Sequence, residues 1–495
     1  MAKVLCYTSP GRGHLFPTVP VLLEMVRRGH DVSLMTLSGE VARMTAAGLR
    51  TRPIDPAIEA VTHDDWGASS PAAALDRAVR VFVARAEHEI PDLQGAIATD
   101  QPDLLLVDFN CWGAAAVAER SGLPWALFLP YFLPWKLPGL PPFGPGLAPR
   151  RDLLGRLRDT VMGKLVHGVV NRNLPALNSI RVRVELPPLG HMTDLGRTAP
   201  RILYYTAEPF EYACPARPPR VVPVGPCFWD PPSDPPAWLA RVTKPLVLVT
   251  CSTEFQDDGR LVDVALEALA EEDVFVVVTT AAVDPARFRP PADAHVERFV
   301  PHGPILRRAV AVVCHGGMGV TQKALAAGVP VCVVPFGRDQ LEVARHVEVA
   351  GAEPRRGGGR SRMPSGRGAD RRRVSYGRRP GGSGGRARIV VAGAHPSLQP
   401  GKMITVVGPQ WELPDVLARS VQRFGLASEV RATGRPPSGQ NARLRGGIEK
   451  ETAGATLVFT RHSLPAIPIA PLQALCSRPG ACRPARVTCR PRMSS

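Results

Sequence analysis

A chain of 495 residues is longer than one hydrophobic core usually supports, which excludes a single small domain and predicts at least two. The formal net charge of +17 would suggest a nucleic-acid partner, but 26 of the 61 Lys and Arg residues and only 6 of the 44 Asp and Glu residues lie from Pro354 onward. Residues 1–353 are therefore close to neutral and carry no nucleic-acid footprint.

Residues 3–8 read as a strand, 9–17 as a glycine-rich loop, 18–28 as a helix by apolar spacing, and 31–37 as a second strand after a stop at Gly29. This is a Rossmann-type start. Its loop SPGRGHLFP lacks the third glycine of a dinucleotide fingerprint, which counts against NAD. His14 follows the first strand and reads as facing a crevice, or as an ordinary structural histidine. Residues 102–109 form another buried strand, with Asp108 at its carboxyl end, either as a crevice carboxylate or as a helix cap. A helix at 113–119 and a strand at 125–129 follow.

Residues 130–149 are crowded with proline, glycine and aromatics. They read as the wall of an acceptor pocket, with Tyr131, Phe132 and Trp135 offered to it, or as an ordinary long loop. Leu153, Leu157, Val161, Leu165 and Val169 then recur every four residues beside Arg156, Arg158 and Lys164. Such a stripe is expected to pack on its own domain; the other reading is an interfacial helix in peripheral contact with a membrane. A strand at 201–206 closes the first domain, 1–224, and the proline-rich stretch 225–240 is an interdomain linker.

The second domain, 241–353, repeats the pattern, with strands at 246–251, 274–279 and 296–300 and a helix at 261–270. Its most informative stretch is 309–340. A valine-rich buried strand ends at His315, Gly316 and Gly317, an alanine-rich helix runs to a stop at Gly328 and Pro330, and a second buried strand leads to Asp339 and Gln340. In a parallel sheet this turn sits at the carboxyl edge, with the first amides of the helix directed at a bound anion. The glycines by themselves also suit a plain tight turn. Asp339 and Gln340 return to the same edge and suit a polyhydroxylated ligand.

At these residues the chain resembles the nucleotide-sugar glycosyltransferases of the plant and antibiotic type, the macrolide glycosyltransferase-like group in particular. The resemblance covers about residues 1–352 and implies an α/β chain of GT-B architecture, two facing Rossmann-like domains. It also implies a hexosyltransferase using a UDP- or dTDP-sugar as co-substrate, with no further cofactor and no metal. His315, Gly316, Gly317, Gly319 and Thr321 then fall near the diphosphate, Ser252 and Thr253 near the donor phosphate, His302 beside the base, and Asp339 and Gln340 at the sugar. His14, within Gly13, His14 and Pro17, maps onto the catalytic loop, and Asp108 onto its partner. Lys323 stands where many relatives have a glutamate that binds ribose.

The chemistry follows from these types. An attacking hydroxyl must lose its proton, which a neutral imidazole at His14 can take, with Asp108 fixing the tautomer. His315 and the helix amides would stabilise the departing diphosphate, and one direct displacement inverts the anomeric centre. The expected acceptor is a lipophilic hydroxylated molecule such as a polyketide, phenolic or glycolipid. An inactive or unstable relative is the alternative, because the family pattern stops near Gly351; a GT-B epimerase would need carboxylates in place of the His14 loop.

The ten cysteines show no metal-site spacing and read as mainly buried free thiols. No secretory signal and no membrane span are expected, which makes the cytoplasm the default. Residues 354–388 are almost all Arg, Gly, Pro and Ser and cannot bury enough apolar surface to fold alone. The tail 354–495 reads as a replaced terminus or a shifted reading frame, with binding of RNA or acidic surfaces as the competing view.

Overall fold

The computed structural model describes residues 1–352, and the readings offered for the tail lie outside the described residues. Two parallel sheets form the frame. The first contains β1 (Lys3–Tyr7), β2 (Asp31–Thr36), β3 (Arg50–Pro53), β4 (Leu104–Asp108), β5 (Trp125–Leu129), β6 (Ile202–Tyr204) and β7 (Val221–Pro223), in the order β3-β2-β1-β4-β5-β6-β7. The second contains β8 (Leu246–Thr250), β9 (Phe275–Thr279), β10 (Ala294–Glu297), β11 (Ala309–Cys314) and β12 (Val331–Val333), in the order β10-β9-β8-β11-β12. The strand order reverses beside β1 in one sheet and beside β8 in the other. Crevices for ligands form at such reversals, outside the carboxyl ends of the strands.

The central strands are buried on both faces, which is why they read as unbroken apolar runs. Leu5, Cys6, Tyr7, Leu105 and Val107 in the first sheet, and Leu248, Val249, Val312 and Cys314 in the second, are all nearly inaccessible. Among the described residues Cys6, Cys111, Cys214, Cys251 and Cys314 are buried free thiols, Cys227 is a half-buried one, and Cys332 is buried.

Three expectations require correction. The first helix spans Arg12–Arg27 and so takes in His14 and Pro17, which the sequence places in a loop. Pro17 and Pro20 each remove a backbone bond, but Leu15, Val19 and Leu22 are buried beneath them, and this packing outweighs the loss. The strand expected at 296–300 lies earlier, at Ala294–Glu297. No described residue covers the stripe on helix Leu153–Val170: Leu153, Leu157, Val161 and Leu165 are exposed, while Gly155, Asp159 and Gly163 face inward.

One close approach fixes the helix layer of the first half. A Cβ added to Gly113 would stand 2.1 Å from the Ala86 carbonyl oxygen of helix Pro71–Asp100. The Gly113 amide also donates to Glu89 Oε2 at 2.8 Å, so the position serves packing and hydrogen bonding together. Gly113→Ala is expected to lower stability by about 1–3 kcal/mol, read as an earlier urea unfolding midpoint. An unchanged midpoint would show that the two helices separate without cost.

Candidate active site

Asp108, at the carboxyl end of β4, is fully buried yet ionised and fully partnered. Its Oδ2 accepts from the Ser9 amide at 3.1 Å and the Ser9 hydroxyl at 2.6 Å; its Oδ1 accepts from the Asn110 amide at 3.0 Å and lies 3.0 Å from His14 Nδ1. Burial works to raise the carboxyl, but His14 and these donors outweigh it and hold it below its ordinary value. His14 sits in the first turn of its helix with 19% of its side chain exposed. With Nδ1–H donated to Asp108, Nε2 carries the lone pair, and Asn110 Nδ2 approaches it at 3.3 Å. Burial works to lower the imidazole, but Asp108, Glu254 and Asp339 outweigh it and lift His14 above its ordinary value.

Asn110 was not anticipated, although its place two residues beyond a strand-ending aspartate is a usable signal. Its Oδ1 accepts from Tyr131 at 2.7 Å, and the Tyr131 ring stands 5.8 Å from that of His14. Tyr131 therefore belongs to this site. Phe132 and Trp135 do not join it. Phe132 stacks on His346 with centroids 3.6 Å apart, and Trp135 donates to the Leu195 carbonyl at 3.2 Å. Both line a cavity of about 30 Å³ with Phe143, Tyr212, Arg217 and Glu342.

On the second sheet, Gly316 adopts φ +99°, and a Cβ there would lie 2.8 Å from Val333. Gly317 caps helix Met318–Ala326, and a Cβ on it would fall 2.6 Å from His315 Nε2, so that nitrogen lies against the start of the helix. Gly319 opens onto free space. His315 is buried, with Nδ1 3.5 Å from the Thr250 carbonyl oxygen, and burial lowers its basicity. Thr321 is buried one turn further along, its hydroxyl 3.8 Å from Cys314 Sγ. Ser252 is buried, and its amide donates to Asp258 at 2.6 Å; Thr253 is exposed. His302 begins helix His302–Leu306, with Nε2 3.1 Å from Thr279 Oγ1, and is lowered to about 4 by burial and the nearby Lys323. Lys323 is itself paired with Asp230 at 2.6 Å.

Asp339 and Gln340 behave differently. The Gln340 amide is bonded within the protein, donating to Gln256 at 2.7 Å and accepting from the Phe336 amide at 2.6 Å. Asp339 lies near enough to His14 for their charges to interact, and burial raises its carboxyl. Among the described residues no group of His, Cys, Asp and Glu is placed to hold a metal ion.

The two halves meet through contacts invisible to local pattern. Arg338, at φ +55°, grips Asp65 of the first half with Nε and Nη2 at 3.1 and 3.2 Å, and reaches Glu254 at 3.3 Å. Trp66 packs edge-on against Phe255 alongside. Gln322 donates to the Tyr205 carbonyl at 3.1 Å, and Glu342 accepts from the Gly144 and Gly146 amides, both at 2.8 Å.

Comparison with known proteins decides the family. The model of the erythromycin biosynthesis protein CIII-like C-terminal domain matches residues 263–357. The 4'-demethylrebeccamycin synthase of Lentzea aerocolonigenes is 36% identical over 371 residues, covering 71% of this chain and 86% of that protein. The chain belongs to the antibiotic-type glycosyltransferase family. A PGL/p-HBAD biosynthesis glycosyltransferase of Mycobacterium tuberculosis is 34% identical over 129 residues, 26% of this chain and 30% of that one. The glycosyltransferase VinC, solved with dTDP, superposes with a TM-score of 0.53 at 19% identity over 85% of this chain and 90% of that chain, a likeness of fold. The architecture of this glycosyltransferase is GT-B.

The Arg338–Asp65 contact gives a direct test of how the glycosyltransferase holds its halves together. A double-mutant cycle with Arg338→Gln and Asp65→Asn is expected to give a coupling of about 1–3 kcal/mol in unfolding free energy. A coupling near zero would mean that the pair follows closure without supporting it.

Proposed function

We propose that this glycosyltransferase moves a hexosyl group from a UDP- or dTDP-sugar to a hydroxyl of a lipophilic small molecule, with inversion and without a metal. The observation that carries the reading is the His14–Asp108 pair at the carboxyl edge of one sheet, opposite the His315–Gly319 turn at the carboxyl edge of the other. The acceptor oxygen forms a bond to the anomeric carbon while its proton passes to His14 Nε2 and the bond to the diphosphate breaks. Asp108 holds the tautomer and stabilises the imidazolium. The diphosphate departs toward His315, Gly316, Gly317, Gly319 and the first amides of the helix bearing Thr321, whose dipoles favour an anion. Asp339 would take sugar hydroxyls. Gln340 would help by fixing the turn that carries Asp339, since its own amide is already engaged.

The dTDP bound to VinC supports trying that nucleotide first, and the names of the relatives support a natural-product or glycolipid acceptor. Saturating dTDP or UDP, at about 100 times its dissociation constant, is expected to stabilise the protein by about 2.7 kcal/mol, read as a raised melting temperature. His315→Ala should remove most of that rise. No rise with either nucleotide would favour an inactive relative.

The pH dependence has a definite sign. His14 acts as a base when neutral, and its basicity is raised, so kcat/KM should fall on the acid side with an apparent pKa above about 6.5. Asp108→Asn removes the carboxylate that raises it. That variant should shift the acid limb to lower pH and reduce kcat by roughly a hundred-fold or more. An unmoved acid limb would assign the titration to another group.

A further inference from the structure

The helix Leu153–Val170 presents an apolar face that nothing among the described residues covers. Leu153 is 79% exposed, Leu154 70%, Leu157 62%, Val161 49% and Leu165 59%. Each step of four residues advances about 40° around a helix, so this face forms one continuous band about 120° wide. The opposite side, at Gly155, Asp159 and Gly163, is buried against the protein. Five large apolar side chains on one helical face form a patch of the kind that marks an interaction surface.

The charges around the band indicate its partner. Arg158 and Arg150 are neutralised locally, by Asp159 at 2.7 Å and by Asp152 at 2.5 Å. Arg151, Arg156 and Lys164 are exposed and carry no ion pair among the described residues. Lys164 rises between Leu157 and Leu153 in helical projection, where its long stem can lie along the leucines with the ammonium at the rim. A band of leucine with unpaired cations at its margin matches the boundary of an anionic bilayer, apolar beneath and negative at the surface. No helix of the described residues is long and apolar enough to cross a membrane, so the match is to a helix lying in the surface.

We propose that this glycosyltransferase docks on an anionic membrane through helix Leu153–Val170, with Leu153, Leu154, Leu157, Val161 and Leu165 in the acyl boundary and Arg151, Arg156 and Lys164 on the headgroups. The helix is tied to the wall that carries Tyr131: Arg158 donates to the Ala148 carbonyl at 2.7 Å, and Pro142 lies 3.9 Å from a Cβ built on Gly163. Docking therefore sets the rim of the crevice beside the bilayer. The contact does not depend on which sugar is transferred.

The experiment is sedimentation of the full chain with vesicles of phosphatidylcholine containing roughly 30% phosphatidylglycerol, at low salt and at about 0.5 M NaCl, where surface charge is strongly screened. The basic residues beyond Pro354 supply attraction of their own at low salt, so the high-salt arm decides. Wild type is expected to stay bound there, whereas Leu157→Gln/Leu165→Gln, with an unchanged melting temperature, should lose about ten-fold in partition. Arg156→Gln/Lys164→Gln should weaken only the low-salt arm. Equal partition of wild type and the leucine variant would overturn the proposal. So would loss of self-association by light scattering in the leucine variant, which would assign the face to a second copy. Protection of Leu157 and Leu165 from hydroxyl-radical labelling in vesicle-free monomer would assign it to the chain's own residues and overturn it equally.

Discussion

A charge removed from water must be given partners, and the buried carboxylate of Asp108 sets the terms for the first half of this protein. Its donors come from three places: Ser9 beyond β1, Asn110 beyond β4, and His14 in the first turn of the following helix. Those places meet because β1 and β4 are adjacent parallel strands, so their carboxyl ends emerge side by side. A shift of the helix start by a few residues would leave Asp108 underbonded, which costs far more than the backbone bonds that Pro17 and Pro20 remove. The helix can therefore run through two prolines.

The second half meets the same constraint with amides. Gln340 is buried at 3% exposure, and its carbonyl caps the Phe336 and Gly337 amides at the turn carrying Arg338 and Asp339. That turn holds Arg338 at positive φ, from where its guanidinium reaches across to Asp65. The side chain that closes the seam is thus aimed by a neighbour whose own side-chain hydrogen bonds go to Phe336, Gly337 and Gln256 of the second half.

Much of this was legible in the residues. Buried parallel strands announce themselves as short valine and leucine runs, and their carboxyl ends are where chemistry collects, so His14 and Asp108 could be placed at the edge of one sheet and His315 and Asp339 at the edge of another, while only the family resemblance implied that the two edges face each other. The glycine turn was equally readable, since Gly316 needs a backbone region that other residues avoid. What could not be read depends on separation in sequence. Arg338 and Asp65 are 273 residues apart, and no periodicity relates them. Phe132 and Trp135 have the composition of a pocket wall, but successive side chains in an irregular loop point in different directions, and only Tyr131 turns to His14. The exposed leucine stripe is the reverse case: the four-residue spacing was plain, but spacing does not say whether a face meets protein.

The charges of the crevice explain why the two halves suit opposite ends of the proposed reaction. His14 lies among the carboxylates of Asp108, Glu254 and Asp339, an environment that favours the cation it becomes on taking a proton. A diphosphate gathers negative charge at the same moment, and those carboxylates would repel it. The nearby full cations are already engaged, Arg338 with Asp65 and Glu254, and Lys323 with Asp230. In that reaction the diphosphate would meet a buried imidazole of lowered basicity and the amide dipoles of a helix start. Such dipoles are fixed by the backbone and need no rearrangement as charge develops. In the proposed reaction, proton transfer and bond cleavage would move opposite charges apart, each toward the half whose groups suit it.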